Sequence, residues 1–169
     1  MVPHVMPLSV FLHSISTYDI DPKVAKAASV AAGMADLEKD AGNLAIVLRN
    51  ILANDSSRDQ LLALLKDMLP FIEDVDVDRL PDASFLIRLR ESYTKGHPLP
   101  SPFASDGTIN LLSILIALLF QESDVVIIEE PERSVHPELI SGLVALMKET
   151  TERFGKQIII TTHLSLIHI

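Results

Sequence analysis

The sequence predicts an α/β fold: a parallel sheet with flanking helices, preceded by a helical region. Two observations carry this. Val125-Val126-Ile127-Ile128 and Gln157-Ile158-Ile159-Ile160-Thr161-Thr162 are short runs of β-formers, apolar enough to be buried on both faces, as central parallel strands are. Between them a helical stretch opens at Pro137 and closes at Phe154, before Gly155. Proline suits a first helical turn and glycine the position just past the last. Strand, helix and strand make a βαβ unit with a right-handed crossover. Ligands in such sheets bind beyond the carboxyl ends of the strands, where Glu129, Glu130 and His163 stand.

The upstream elements follow in order. Asp21-Pro22 can cap and start a helix, and an Ala-rich segment runs from Lys23 to about Leu37. Gly42-Asn43 opens a periodic stretch with Leu44, Val47, Leu48, Ile51 and Leu52 on one face. Asn54-Asp55-Ser56-Ser57 breaks it, and a further helix is expected from Arg58 to Phe71. Asp74-Val75-Asp76-Val77 and Ser84-Phe85-Leu86-Ile87-Arg88-Leu89 read as strands. Gly96, Pro98, Pro100 and Pro102 make an extended loop before a helix from about Thr108 to Gln121.

Composition narrows the class. A chain of 169 residues fits one domain, and 48% hydrophobic residues exclude a disordered one. There is no cysteine, so neither a disulfide framework nor a thiolate metal site is available. The net charge of −9 makes a poor surface for phosphate backbones, so any DNA or nuclease partner is expected to meet regions not present in this chain. The apolar stretch Ile109 to Phe120 is too short to span a bilayer, and Met1 to Pro7 lacks a basic segment followed by an apolar one. No membrane association and a cytoplasmic location are expected.

Three clusters can carry chemistry. Glu129 and Glu130 put paired carboxylates on a sheet rim, where such pairs hold a metal or a proton; they would also serve simply to end a strand in solvent. Ser105-Asp106-Gly107-Thr108 stands at a helix start, where free N–H groups and the positive dipole end attract an anion; Ser and Asp there are equally plain N-caps. His163 ends the second apolar strand, where a neutral imidazole can contact a phosphate or a water, or simply be exposed.

In that order, with those elements between them, the clusters resemble the ABC-type ATPase head of the SMC- and RecF-like predicted AAA ATPase family. Ser105-Asp106-Gly107-Thr108 looks like its signature motif, Val125 to Glu130 its Walker B strand, and His163 its switch histidine. Gly42 to Leu48, with Leu69-Pro70-Phe71-Ile72, looks like the insert before the signature, so the resemblance spans about Asp21 to His163. It implies a P-loop NTPase-like sheet, ATP and Mg²⁺ as cofactors, and a homodimer that sandwiches ATP. By resemblance, Glu130 is the general base, Glu129 the metal-side acid and His163 the contact to the terminal phosphate. Ser105 and Gly107 would reach the partner's phosphate, with Asp106 bonding its own turn. Arg133-Ser134-Val135-His136-Pro137 falls where the family has its dimer-contact loop. On this reading residues 1–100 are the insert and connecting strands, and residues 101–169 the carboxy-terminal part of the ATPase domain.

The sequence departs from the family at several points. Glu129 stands where the first acid is usually Asp, and Leu164 where a Ser usually follows the histidine. The chain is read as a fragment of a longer gene, and whether the tail Leu164 to Ile169 is native to it is left open. No Gly-x-x-x-x-Gly-Lys-Ser/Thr occurs: the one Gly-Lys pair, Gly155-Lys156, has Thr150 at the first glycine position and Gln157 after the lysine. The phosphates therefore lack their backbone cradle and lysine, and negligible ATPase activity is expected of this chain alone. Two rival readings are a non-catalytic module that pairs with a P-loop-bearing partner, and a metal hydrolase built on Glu129, Glu130, Glu132 and His136.

Overall fold

The computed structural model describes Leu12 and residues 14–30, 36–94 and 96–164. In chain order the elements are strand β1 (Ile15–Tyr18), a single helical turn α1 (Pro22–Ala25), β2 (Ser29–Val30), α2 (Leu44–Leu52) and α3 (Asp55–Met68). Then come β3 (Ile72–Arg79), β4 (Ser84–Glu91), β5 (Leu99–Pro100), α4 (Asp106–Leu119), β6 (Val125–Glu129), α5 (Pro137–Phe154) and β7 (Gln157–Thr161). The protein is thus mixed α/β with a parallel sheet.

That sheet has the order β1-β6-β7. Ile15 pairs with Val125 and Val125 with Gln157, and the far end closes on Glu129 opposite Thr161. A second, antiparallel sheet is centred on β4, with β2, β3 and β5 paired to it. Its longest ladder sets Asp74 opposite Arg90 and Asp76 opposite Arg88. Opposite charges facing across a strand pair favour that register by roughly 0.2–1 kcal/mol each.

Helix α4 is the centre of the core. Ser105 caps it, its Oγ accepting from the Thr108 N–H at 3.0 Å. Every residue from Thr108 to Leu118 is buried, so the helix has no solvent face, which matches its continuous apolar sequence. Leu48, Ile87, Leu112, Ile114, Val126 and Ile128 belong to one packed cluster that joins both sheets to the helices. Each such side chain contributes roughly 1.5–3 kcal/mol by leaving water.

Lys156 reaches the opposite end of α4. Its Nζ donates to the Leu118 and Gln121 carbonyls at 2.9 and 2.5 Å, where a cation complements the helix dipole. Burial holds its pKa below the ordinary lysine value. Gly155, at φ 68, is the left-handed cap that ends α5. The Gly-Lys pair is therefore a helix-ending device before β7, at the opposite end of that strand from His163.

The structure differs from expectation upstream. The helix that opens at Asp21-Pro22 stops after one turn, although Asp21 does cap it by accepting from the Lys23 N–H. The chain then leaves for β2, and Ser101 Oγ donates to the Lys26 carbonyl at 2.8 Å. Residues 31–35 of the Ala-rich segment lie outside the described residues. Helix α3 begins before Arg58: Asn54 caps it, accepting from the Ser57 N–H at 3.0 Å. The polar run expected to break the chain is that cap and the first turn. The helix ends at Met68 instead of Phe71, because Pro70 disfavours helical geometry at Leu69. Strand β1 was not anticipated from the sequence.

Candidate functional site

The carboxyl end of the parallel sheet gathers the acids and the histidine. Glu129 is the last residue of β6, and its Oε1 lies 3.5 Å from Lys39 Nζ. Glu130 leaves the strand at φ 45, a strained backbone for a residue with a Cβ. Its N–H donates to the Thr161 carbonyl at 2.9 Å, which pins this turn to β7.

The Glu130 carboxylate is held from two sides. Oε1 is 3.0 Å from His163 Nε2, and Oε2 accepts from Arg133 Nε and Nη2 at 3.3 and 3.1 Å. The same guanidinium donates through Nη1 to Asp19 Oδ1 at 3.2 Å and to the Ile20 carbonyl at 3.3 Å. The Glu130 hydrogen bond first, and the Asp19 charge after it, raise the arginine's pKa further above its ordinary value. Glu132 fixes the following strand end: its Oε1 accepts from Thr162 Oγ1 at 2.5 Å and from the His163 N–H at 3.2 Å. The backbone of His163 is thereby held, while its side chain is 91% exposed and open to a ligand.

A second cluster forms at the amino end of α4. Ser105 and Gly107 line a cavity of about 470 Å³ with Ser134, His136 and the Leu69-Pro70-Phe71 wall. Gly107 is required by close approach: a Cβ there would lie 2.4 Å from the Ser134 carbonyl oxygen. Asn110, buried in α4, holds the same loop by donating through Nδ2 to the Pro131 and Arg133 carbonyls at 3.1 and 2.7 Å. His136 caps α5, its Nδ1 accepting from the Glu138 N–H. Asp106 pairs with Lys26 and does not line the cavity.

The clusters are joined by the loop from Pro131 to His136. Arg133 serves the acid end, while Ser134 and His136 serve the cavity. Glu129, Glu130 and His163 thus share one rim, whereas Ser105 and Gly107 belong to the other cluster. Sequence reasoning missed Asp19, Lys39 and the roles of Arg133 and Asn110. Asp19 follows β1 as Glu130 follows β6, a placement that only the parallel pairing of the two strands makes visible.

Among the described residues, no group of three or more His, Cys, Asp or Glu side chains is arranged to hold a metal ion. Glu129 is half-exposed and paired with the Lys39 ammonium, so it could offer Mg²⁺ a single carboxylate only once that ammonium moves away, and it does not form part of an all-protein cage. His136 faces the cavity, apart from the Glu130–His163 contact, so the four-residue hydrolase site of Glu129, Glu130, Glu132 and His136 is not assembled. No helix among the described residues is long and apolar enough to cross a membrane.

Comparison with known proteins gives one family, described as "AAA domain, putative AbiEii toxin, Type IV TA system", which matches residues 14–168. No curated protein matches. Similar solved structures include an Smc head domain with a coiled coil and joint from Pyrococcus yayanosii, at 13% identity and a TM-score of 0.48, covering 62% of this chain and 21% of that one. Another is an Smc head domain from Pyrococcus furiosus with an extended coiled coil, bound to the C-terminal domain of ScpA. It shows 11% identity and a TM-score of 0.47, covering 73% of this chain and 32% of that one. The chain therefore spans about a fifth to a third of the length of these structures.

Proposed function

We proceed from the fact that the chain belongs to the AAA-domain family matched over residues 14–168, and propose that it is the carboxy-terminal lobe of an ABC-type ATPase of the SMC- and RecF-like kind. The observation that supports this is the contact of Glu130 with His163 at 3.0 Å, at the same end of the sheet where Glu129 closes β6. In the intact protein, ATP is the substrate and Mg²⁺ supplies charge neutralisation for its phosphates. Glu129 would be the residue that holds that ion. Glu130 takes a proton from the attacking water as its oxygen bonds to the terminal phosphorus; the bond to the β-phosphate oxygen breaks, and ADP and phosphate leave. The exposed imidazole of His163 turns from Glu130 to the terminal phosphate. Ser105 and Gly107 complete the site of a second head, so the working unit is a dimer with nucleotide between its halves.

The lobe lacks a cradle for the α- and β-phosphates, and the sheet has room for one. Among the described residues β7 pairs only with β6, and Ile159, in the middle of its triple-isoleucine run, is 43% exposed. Such an apolar strand suits a covered position, and an unprotected edge invites another strand. A further parallel strand on that edge would end beside His163, and a phosphate-binding loop after it would face Glu130.

The test is phosphate release from Mg·ATP by a polypeptide in which this chain is joined to its P-loop segment. The expected result is turnover that Glu130→Gln removes. Turnover unaffected by Glu130→Gln would refute the assignment. The rival reading, a non-catalytic module that pairs with a P-loop-bearing partner, rests on the same open edge. It would be favoured by nucleotide-dependent association without hydrolysis.

A further inference from the structure

Helices α3 and α5 lie side by side, and the space between them is not closed. Two cavities of about 470 and about 340 Å³ run along the seam and share Leu64, Leu146 and Glu149. The second also shares Met68, Glu138 and Leu139 with the cavity beneath Ser105, so one groove extends from that cavity toward Phe154. From Glu138 to Phe154 helix α5 rises about 24 Å at ~1.5 Å per residue, the length of a helix of roughly 16 residues.

The walls have a definite chemistry. Leu64, Leu119 and Leu139 form a half-buried apolar floor. The α5 wall carries Ser141, Gly142 and Ala145, all exposed, at the one-turn spacing that puts them on one face. Gly142 sits in mid-helix, where glycine is less favourable than alanine, yet a Cβ there would meet nothing within 4 Å. Among the described residues nothing requires the glycine, whereas a backbone approaching from outside would. The rim carries Asp67, Glu138 and Glu149, and its one lining cation among the described residues, Arg153, is paired to Glu149 at 2.7 Å.

We propose that the groove between α3 and α5 is a docking site for a basic amphipathic helix of a partner polypeptide. Its apolar stripe lies on the leucine floor, its backbone comes close over Ser141, Gly142 and Ala145, and its lysines or arginines meet the acidic rim. A helix fits the straight seam and its small-residue wall, and the rim fixes the sign of the occupant's charge.

The probe is a fluorescein-labelled, helix-forming peptide of leucine and lysine with an apolar stripe. A scrambled peptide of the same composition without the stripe is the control. Fluorescence anisotropy with the full chain is expected to show the striped peptide binding about tenfold tighter or more. Gly142→Leu, whose Cβ would meet nothing within 4 Å, should weaken the striped peptide about tenfold and leave the scrambled one unchanged. Glu138→Lys should weaken both peptides, with circular dichroism showing an intact fold. Equal binding of the two peptides, or no effect of Gly142→Leu, overturns the proposal. Sedimentation showing a dimer of this chain that Gly142→Leu dissociates also overturns it, by giving the groove to a second copy.

Discussion

Replacing Gly107 by alanine tests how tightly the loop of the acid site is clamped to helix α4. The new Cβ would start 2.4 Å from the Ser134 carbonyl oxygen, closer than side chains approach a backbone oxygen, so the loop must retreat by roughly 1 Å. Forcing an extra methyl group into a filled space costs about 1–3 kcal/mol. The retreat also stretches the Asn110 hydrogen bonds to the Pro131 and Arg133 carbonyls, each contributing about 1 kcal/mol. Alanine's better helix propensity returns at most ~1 kcal/mol. The net expectation is a loss of about 1–3 kcal/mol. Gly142→Ala, in the open wall of α5, makes the same chemical change with nothing within 4 Å and should add about 1 kcal/mol. Urea unfolding followed by circular dichroism measures both. Opposite signs support the clamp, whereas a Gly107→Ala variant as stable as the wild type would refute it.

Other substitutions have equally definite outcomes. Asn110→Leu leaves the Pro131 and Arg133 carbonyls without their donor and should cost about 2–3 kcal/mol in urea unfolding. Ser105→Ala removes the cap of α4 and should cost about 1 kcal/mol by the same measurement. Burial, opposed by the Ser16 hydrogen bond, raises the Tyr18 pKa above 10.0. The neutral phenol is thus favoured in the fold: its contribution is complete below pH 10 and is lost as pH rises through the folded value. Stability of the wild type should fall from about pH 10 upward, and Tyr18→Phe should remove that part of the fall in unfolding midpoints compared at pH 9 and 11.

The elements after Ser105 were legible because local chemistry and tertiary position agree there. Pro137 and Gly155 bound α5 at the residues expected, and the apolar runs of β6 and β7 need no distant partner to be recognised. Strand β1 was not legible: Ile15-Ser16-Thr17-Tyr18 is short and half polar, and its pairing with Val125 to Ile128 is parallel and far along the chain. The early end of α1 was hidden for a related reason. The chain there is held by Ser101 on the Lys26 carbonyl and by the ion pair of Lys26 with Asp106, contacts that override the helix propensity of the alanines. The acid rim was legible as residues but not as a network, since Arg133 joins Glu130 to Asp19 across more than a hundred positions.

On the proposed function, this chain holds the acid and histidine side of an ATPase site without the phosphate cradle that makes it work. Steady-state phosphate release from Mg·ATP by the chain alone, beside Glu130→Gln, tests it most directly. No release above background is expected from either protein. Sustained turnover by the chain that Glu130→Gln abolishes would contradict it.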